Sequence, residues 1–220
     1  LQLLEKCGIQ LSKSCDQLLC RSQNFPLDVF LVRDDDIPAF LATDVCQLGV
    51  LGQNVLREKQ AIGNGKFSGL REELALGYGQ CRLSIAVPQN FAYNGTASLE
   101  GKTIATSYKG LLGAYLKTNK IDADIVTMEG AVEVAPRTHL ADVICDLVST
   151  GNTLISNGLV EQDVILQSEA VLVKNHIAEA DIARLCNKLI SRIKAVQRAA
   201  KSRYIMLNCP IDSLAAIKTV

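Results

Sequence analysis

Residues 141–154 read ADVICDLVSTGNTL. An apolar run is interrupted by Asp146 and ends in Ser149, Thr150, Gly151, Asn152 and Thr153, small residues gathered around one glycine. A strand that turns through such residues into a helix is an anion cradle. The N–H groups of the turn converge and the helix dipole adds positive potential. Gly151 admits close backbone approach, and the hydroxyls of Ser149, Thr150 and Thr153 can donate to phosphate oxygens. Asp146, at the head of the turn, suits the hydroxyls of a ribose or a Mg²⁺ held by a pyrophosphate. The same residue types are favoured in turns and helix caps, so this stretch alone leaves a phosphate site and a plain turn both open. It lacks the lysine of the nucleotide-hydrolase phosphate loop.

An anion site in this chain has to be built locally. Lys plus Arg and Asp plus Glu are balanced at 23 each over 220 residues, so no global field draws nucleic acid. With 48% hydrophobic residues the chain can bury a sizeable core. None of the eight cysteines, Cys7, Cys15, Cys20, Cys46, Cys81, Cys145, Cys186 and Cys209, forms a pair with two-residue zinc spacing. Most sit in apolar runs and read as buried thiols of a reducing, cytoplasmic protein. His139 and His176 are the only histidines, which excludes a histidine-rich metal site. No segment approaches the roughly 20 apolar residues of a membrane span. The first residues lack a signal-peptide pattern and begin in mid-helix character, and the last stop while still periodic. Both ends read as cuts through a longer protein.

Strands alternate with helical stretches along the chain. Strands are expected at 28–33, 46–52, 80–88, 101–107, 123–129 and around 140–149. The run 162–175 reads as a long strand with a bend, and 202–210 as another strand. Between them DDDIPAFLATDV opens with acids and carries Pro38 in its first turn, a helix start. QNVLREKQ and YKGLLGAYLKTNK are helical, GAVEVAPRTHLA is a helix or a turn, and IDSLAAIK begins a last helix. The clearest helix spans 177–201, where Ile182, Leu185, Leu189, Ile193 and Val196 recur at steps of three and four. The alternation predicts an α/β fold with mostly parallel sheets.

The string EGAVEVAPRTHLADVICDLVSTGNTL, residues 129–154, closely resembles the signature of the ATP phosphoribosyltransferase family. Its landmarks here are Glu129, Gly130, Asp142, Asp146, Thr150, Gly151, Thr153 and Leu154. VRDDDIPAFL, LGVLGQNVL, GYGQCRLSIAVP, LEGKTIATSY and NGLVEQDVILQSEAVLV resemble the same family in the same order.

That resemblance implies a two-lobed fold with a central cleft, similar to type II periplasmic binding proteins. Lobe I would take residues 1–86 and 164–201, and lobe II, with the phosphate loop, residues 87–163. Residues 202–220 would begin a C-terminal βαββαβ-like regulatory domain, a mark of the family's long form. The implied reaction moves the 5-phosphoribosyl group of phosphoribosyl pyrophosphate (PRPP) to N1 of the adenine of ATP and releases pyrophosphate, with Mg²⁺ as companion of the pyrophosphate. It is the first step of histidine biosynthesis, and histidine is the implied allosteric feedback inhibitor. A homo-oligomer, dimer to hexamer, follows from the family, as do an N-terminal strand and a basic segment ahead of Leu1.

Under this resemblance Ser149, Thr150, Gly151, Asn152 and Thr153 hold the 5′-phosphate of PRPP and Asp146 the ribose. Glu129 either serves the same sugar or caps the following helix. Arg33 and Arg82 meet ATP phosphates or pyrophosphate, or else form surface ion pairs. Gly49 and Gly52 either allow close approach of a nucleotide or simply end a strand. The alternative is a two-lobed solute-binding protein of the same fold without catalysis.

Overall fold

The computed structural model describes residues 1–12, 18–176, 179–203, 206 and 208–213. Contacts divide the chain into one unit of residues 1–29 and 187–220 and another of 30–186. The first unit contains α1 (Gln2–Lys6), β1 (Leu19–Arg21) and most of β2 (Asp28–Phe30), with β1 and β2 forming a two-stranded sheet. The guanidinium of Arg192 lies 5.1 Å from the ring centre of Phe25 and donates to the carbonyl of Cys7 at 3.3 Å. Arg192 belongs to α6 (Ala180–Lys201), the long amphipathic helix expected from its periodicity, whose Leu189, Ile190 and Ile193 are buried.

The second unit runs through α2 (Ile37–Ala42), β3 (Leu48–Gly52), α3 (Gln53–Ile62), β4 (Arg71–Ala75), β5 (Cys81–Pro88), β6 (Thr103–Thr106), α4 (Lys109–Asn119), β7 (Asp124–Thr127), β8 (Val143–Val148), α5 (Asn152–Ser156), β9 (Leu159–Ser168) and β10 (Ala170–Lys174). It holds two sheets, one in the order β3-β10-β4 and one in the order β7-β6-β8-β5-β9.

The expectation of mostly parallel sheets is corrected. Within these two sheets parallel pairing is confined to β7, β6 and β8, while β5 is antiparallel to β8 and β9, and β10 is antiparallel to β3 and β4. Alternation of strand and helix reveals crossovers but not the direction of strands that return without a helix. β9 and β10 are such strands, separated only at Glu169, where the expected bend falls.

The five-stranded sheet buries both faces, as alternation along a central strand requires. Leu83, Ile85, Val87, Val143 and Cys145 pack with Leu112 and Leu116 of α4 on one face. Ala86, Ile144 and Val148 pack with Val132 and Leu154 on the other. Each fully buried leucine or isoleucine here contributes roughly 1.5–3 kcal/mol. Helices α3 and α4 are tied by Glu58, whose carboxylate accepts the N–H groups of Gly110 and Leu111 at 2.8 and 2.9 Å. Those are among the first N–H groups of α4, which have no partner within the helix.

Four expectations shift. The strand at 28–33 covers only Asp28–Phe30, and β4, REELA, was not expected as a strand. Its glutamates are poor strand formers, and β10 supplies the pairing. Of the strand expected at 202–210, residues 202, 203, 206 and 208–210 are described and form no strand, and the described start of the expected last helix is a 3₁₀ turn at Ile211–Ser213. Residues 204, 205, 207 and 214–220 lie outside the described residues. Of the cysteines, Cys7, Cys20 and Cys145 are buried free thiols, as expected, but Cys46, Cys81, Cys186 and Cys209 are half-buried, and Cys15 lies outside the described residues.

Candidate active site

Asp146 stands near the end of β8, half-buried, with Ser84 of β5 directly opposite. Its Oδ1 accepts the N–H of Leu147 at 2.8 Å. Burial raises the pKa of Asp146. The Leu147 hydrogen bond opposes that rise, and the charge of Glu133 adds to it. Glu133, which the sequence reading passed over, is a carboxylate whose charge Asp146 feels. Glu129 is exposed, and the 3₁₀ turn that follows, Val132–Val134, has no side-chain cap, so the capping alternative for Glu129 is not realised.

Past Val148 the chain turns through the expected loop. Gly151 sits at φ 83°, a left-handed conformation that a side chain strains, and precedes the short helix α5. A Cβ at Gly151 would come no nearer than 3.9 Å to Val148, so its surroundings are open. Ser149, Thr150, Asn152 and Thr153 are exposed. No side chain caps α5, so the N–H groups that open it have no partner of that kind.

Tyr108, also missed in the sequence, gathers the other pieces. Its hydroxyl accepts a hydrogen bond from Nδ2 of Asn54 at 2.9 Å, and Asn54 is itself fixed by Ser168. Burial pushes the Tyr108 phenol up, the Asn54 hydrogen bond pulls it down, and the charges of Asp146, Asp35 and Asp34 push it up again. Asp34 and Asp35 follow Arg33 directly, so the charges of the RDDDIP segment and of the loop-bearing strand both act on this phenol. Arg33 is exposed. The signal for Tyr108 was its place between strand TIAT and helix α4, at the position that caps the helix.

The remaining candidates have structural partners. Gly49 is pressed against α2: a Cβ there would lie 2.4 Å from Ile37 Cγ2 and 3.0 Å from Leu41 Cδ1. The close approach expected for a nucleotide is made by a helix. At Gly52 a Cβ would meet Asn54 Oδ1 at 2.4 Å, so that glycine makes room for the Asn54 side chain. Arg82 is engaged by Glu161 and donates to the carbonyl of Ser149 at 3.2 Å. Its partners are thus a carboxylate and the backbone of loop 149–153.

Among the described residues no three His, Cys, Asp or Glu side chains gather as a metal cluster. A cavity of about 340 Å³ between Pro88, Arg137 and Gly158 contains none of the site residues. No helix among the described residues is long and apolar enough to cross a membrane.

An α/β fold whose small-residue loop leaves a strand of the five-stranded sheet is of the type II periplasmic-binding-protein class. A periplasmic sulfonate-binding protein from Methylobacillus flagellatus KT shares it with a TM-score of 0.51 at 14% identity, over 76% of this chain and 53% of that one. The ATP phosphoribosyl transferase (HisG:HisZ) complex from Thermotoga maritima contains a chain with a TM-score of 0.75 at 23% identity, covering 91% of this chain and 92% of that one. The ATP phosphoribosyltransferase of Maricaulis maris (strain MCS10) is 43% identical over 221 residues, 100% of this chain and 75% of its own length. The family pattern described as HisG: ATP phosphoribosyltransferase matches residues 33–195. The chain belongs to the ATP phosphoribosyltransferase family. Its chemistry is that of a transferase in the first step of histidine biosynthesis, joining the phosphoribosyl group of PRPP to ATP.

Proposed function

We propose that PRPP lies along the end of β8, with its 5′-phosphate in the loop Ser149–Thr153 and its ribose hydroxyls on Asp146 and Glu133. The observation that carries this reading is the continuity of Asp146 with an open loop whose glycine is left-handed. One strand end thereby sets the distance between sugar and phosphate. Displacement at the anomeric carbon breaks its bond to pyrophosphate and forms a bond to N1 of adenine. Positive charge develops on the ribose in between, so positioning and nearby negative charge lower the barrier. Asp146 and Glu133 supply that charge and hold the ring. ATP enters from the Tyr108 side, its phosphates met by Arg33. Arg82, Gly49 and Gly52, with other partners, are left out of the ATP contacts.

Mg²⁺ fits this site as a companion of substrate. Asp146, a carboxylate raised in pKa by burial and further by the charge of Glu133, would hold such a cation together with the oxygens of pyrophosphate. Bound there, the ion would supply charge neutralisation for the leaving pyrophosphate. We further assign the protein to the cytoplasm, as a homo-oligomer of dimers up to hexamers. Histidine would act as an allosteric inhibitor bound in the regulatory domain that begins at 202–220. Resemblance to the long form supports these assignments.

Titration calorimetry with PRPP tests the site. Gly151→Val is expected to abolish binding while the protein stays folded. Equal affinity in wild type and variant would remove the loop from the PRPP site.

A further inference from the structure

We infer that Arg82, Glu161 and Ser84 form a brace that positions the phosphate loop, so that Arg82 acts on PRPP through the Ser149 carbonyl and is a positioning residue. This rests on the assignment of loop 149–153 to PRPP. The guanidinium fork engages Glu161 through Nε and Nη2, one to each carboxylate oxygen. The remaining Nη1 reaches the carbonyl of Ser149 at 3.2 Å, where β8 gives way to the loop. Ser84 donates its hydroxyl to Glu161 Oε1 at 2.7 Å and is fully buried, so the carboxylate is fixed from below. A planar fork held at two points aims its third donor; a lysine, with a single charged nitrogen, cannot do both.

The backbone explains how Glu161 reaches this position. Arg82 and Ser84 are two residues apart on β5 and so share a face. Directly opposite on β8 stand Val148 and Asp146, on that same face. On the other side the ladder slips: Ala86 pairs with Glu161, but Ser84 pairs with Val164. Such an irregularity re-aims side chains on the longer strand. Here Glu161 is turned onto Arg82 and Ser84, and Asp163 onto the hydroxyls of Tyr93 and Tyr115. The hydrogen bond from Arg82 lowers the pKa of Glu161 against the opposing effect of burial, and Ser84 lowers it further. The carboxylate is therefore held charged to grip the arginine. A mobile Ser149 carbonyl would let the loop N–H groups splay, and loop geometry sets phosphate affinity.

The test is steady-state kinetics with PRPP calorimetry on the full-length protein carrying Glu161→Gln, Arg82→Lys, Arg82→Met, or Arg82→Met with Glu161→Gln. E161Q and R82K are expected to raise the KM for PRPP about 10-fold, the scale of one charged hydrogen bond. The KM for ATP and kcat should stay within about twofold. R82M should raise the PRPP KM further, and the double variant should be no worse than R82M, because both changes break one brace. A purely structural role would lower Tm without separating the two KM values, and that result would overturn the inference. So would an R82M effect on the ATP KM with E161Q silent, which would make Arg82 an ATP ligand. Should R82M fail to fold, the near-isosteric E161Q decides. Wild type that binds no PRPP would sink the loop assignment itself; PRPP binding equal in wild type and all variants would sink the brace alone.

Discussion

Asp146 and Ser84 are directly opposed across β8 and β5, on the sheet face that also carries Arg82 and Val148. The residue assigned to the ribose and the residue that fixes Glu161 are therefore cross-strand neighbours. One rigid register ties the sugar site to the brace of the loop. A sheet holds such spacing better than a loop does, because a one-residue slip would turn every side chain to the opposite face.

Asp146→Asn is expected to trade activity for stability. The carboxyl's pKa is raised in the folded protein. Its stabilising contribution is thus fully present below the unfolded value, about 3.9, and is lost as pH rises through the folded value. At neutral pH the charged carboxylate costs stability that asparagine does not. Denaturant titration of the ligand-free protein at pH 7 should show a higher midpoint for D146N, and kcat should fall on the order of 100-fold or more.

Glu161 has the opposite sign. Its folded pKa is depressed, so its contribution is present above the unfolded value, about 4.3, and is lost as pH falls through the lower folded value. Thermal unfolding between neutral and acid pH should show a smaller stability loss in E161Q than in wild type.

Glu58→Ala tests the tie between α3 and α4. The Glu58 residue is buried and its carboxylate serves two N–H groups. Removing it should cost about 2–3 kcal/mol, as expected when buried donors lose their acceptor, and should leave the PRPP KM of the folded protein unchanged. Chemical denaturation and kinetics measure the two effects.

Gly49→Ala separates packing from nucleotide binding. The added methyl meets Ile37 at 2.4 Å, so overpacking should destabilise by about 1–3 kcal/mol. The KM for ATP should not change, because that space belongs to α2. Loss of ATP affinity with unchanged stability would return Gly49 to the nucleotide.

Sequence carried the α/β class, the amphipathic α6 and the whole loop from Asp146 to Thr153, because each is a local pattern. It did not carry β4, whose strand state comes from pairing with β10. Nor did it carry Glu133, Tyr108 or Glu161. Glu133 was hidden by Glu129 four residues earlier, and only the fold decides which carboxylate's charge reaches Asp146. Glu161 reaches Arg82 through a register slip that no periodicity announces. The glycines are a related case: Gly49 does mark a close approach, but sequence cannot say whether a helix or a nucleotide fills the space.

The most direct measurement is product analysis after incubating the full-length protein with ATP, PRPP and Mg²⁺. The account predicts phosphoribosyl-ATP, joined at N1 of adenine, and pyrophosphate in equal amounts, with both lost together in D146N. Pyrophosphate accompanied by ribose 5-phosphate and no adenine-linked product would mean that water, and not ATP, attacks the sugar, and would contradict the account.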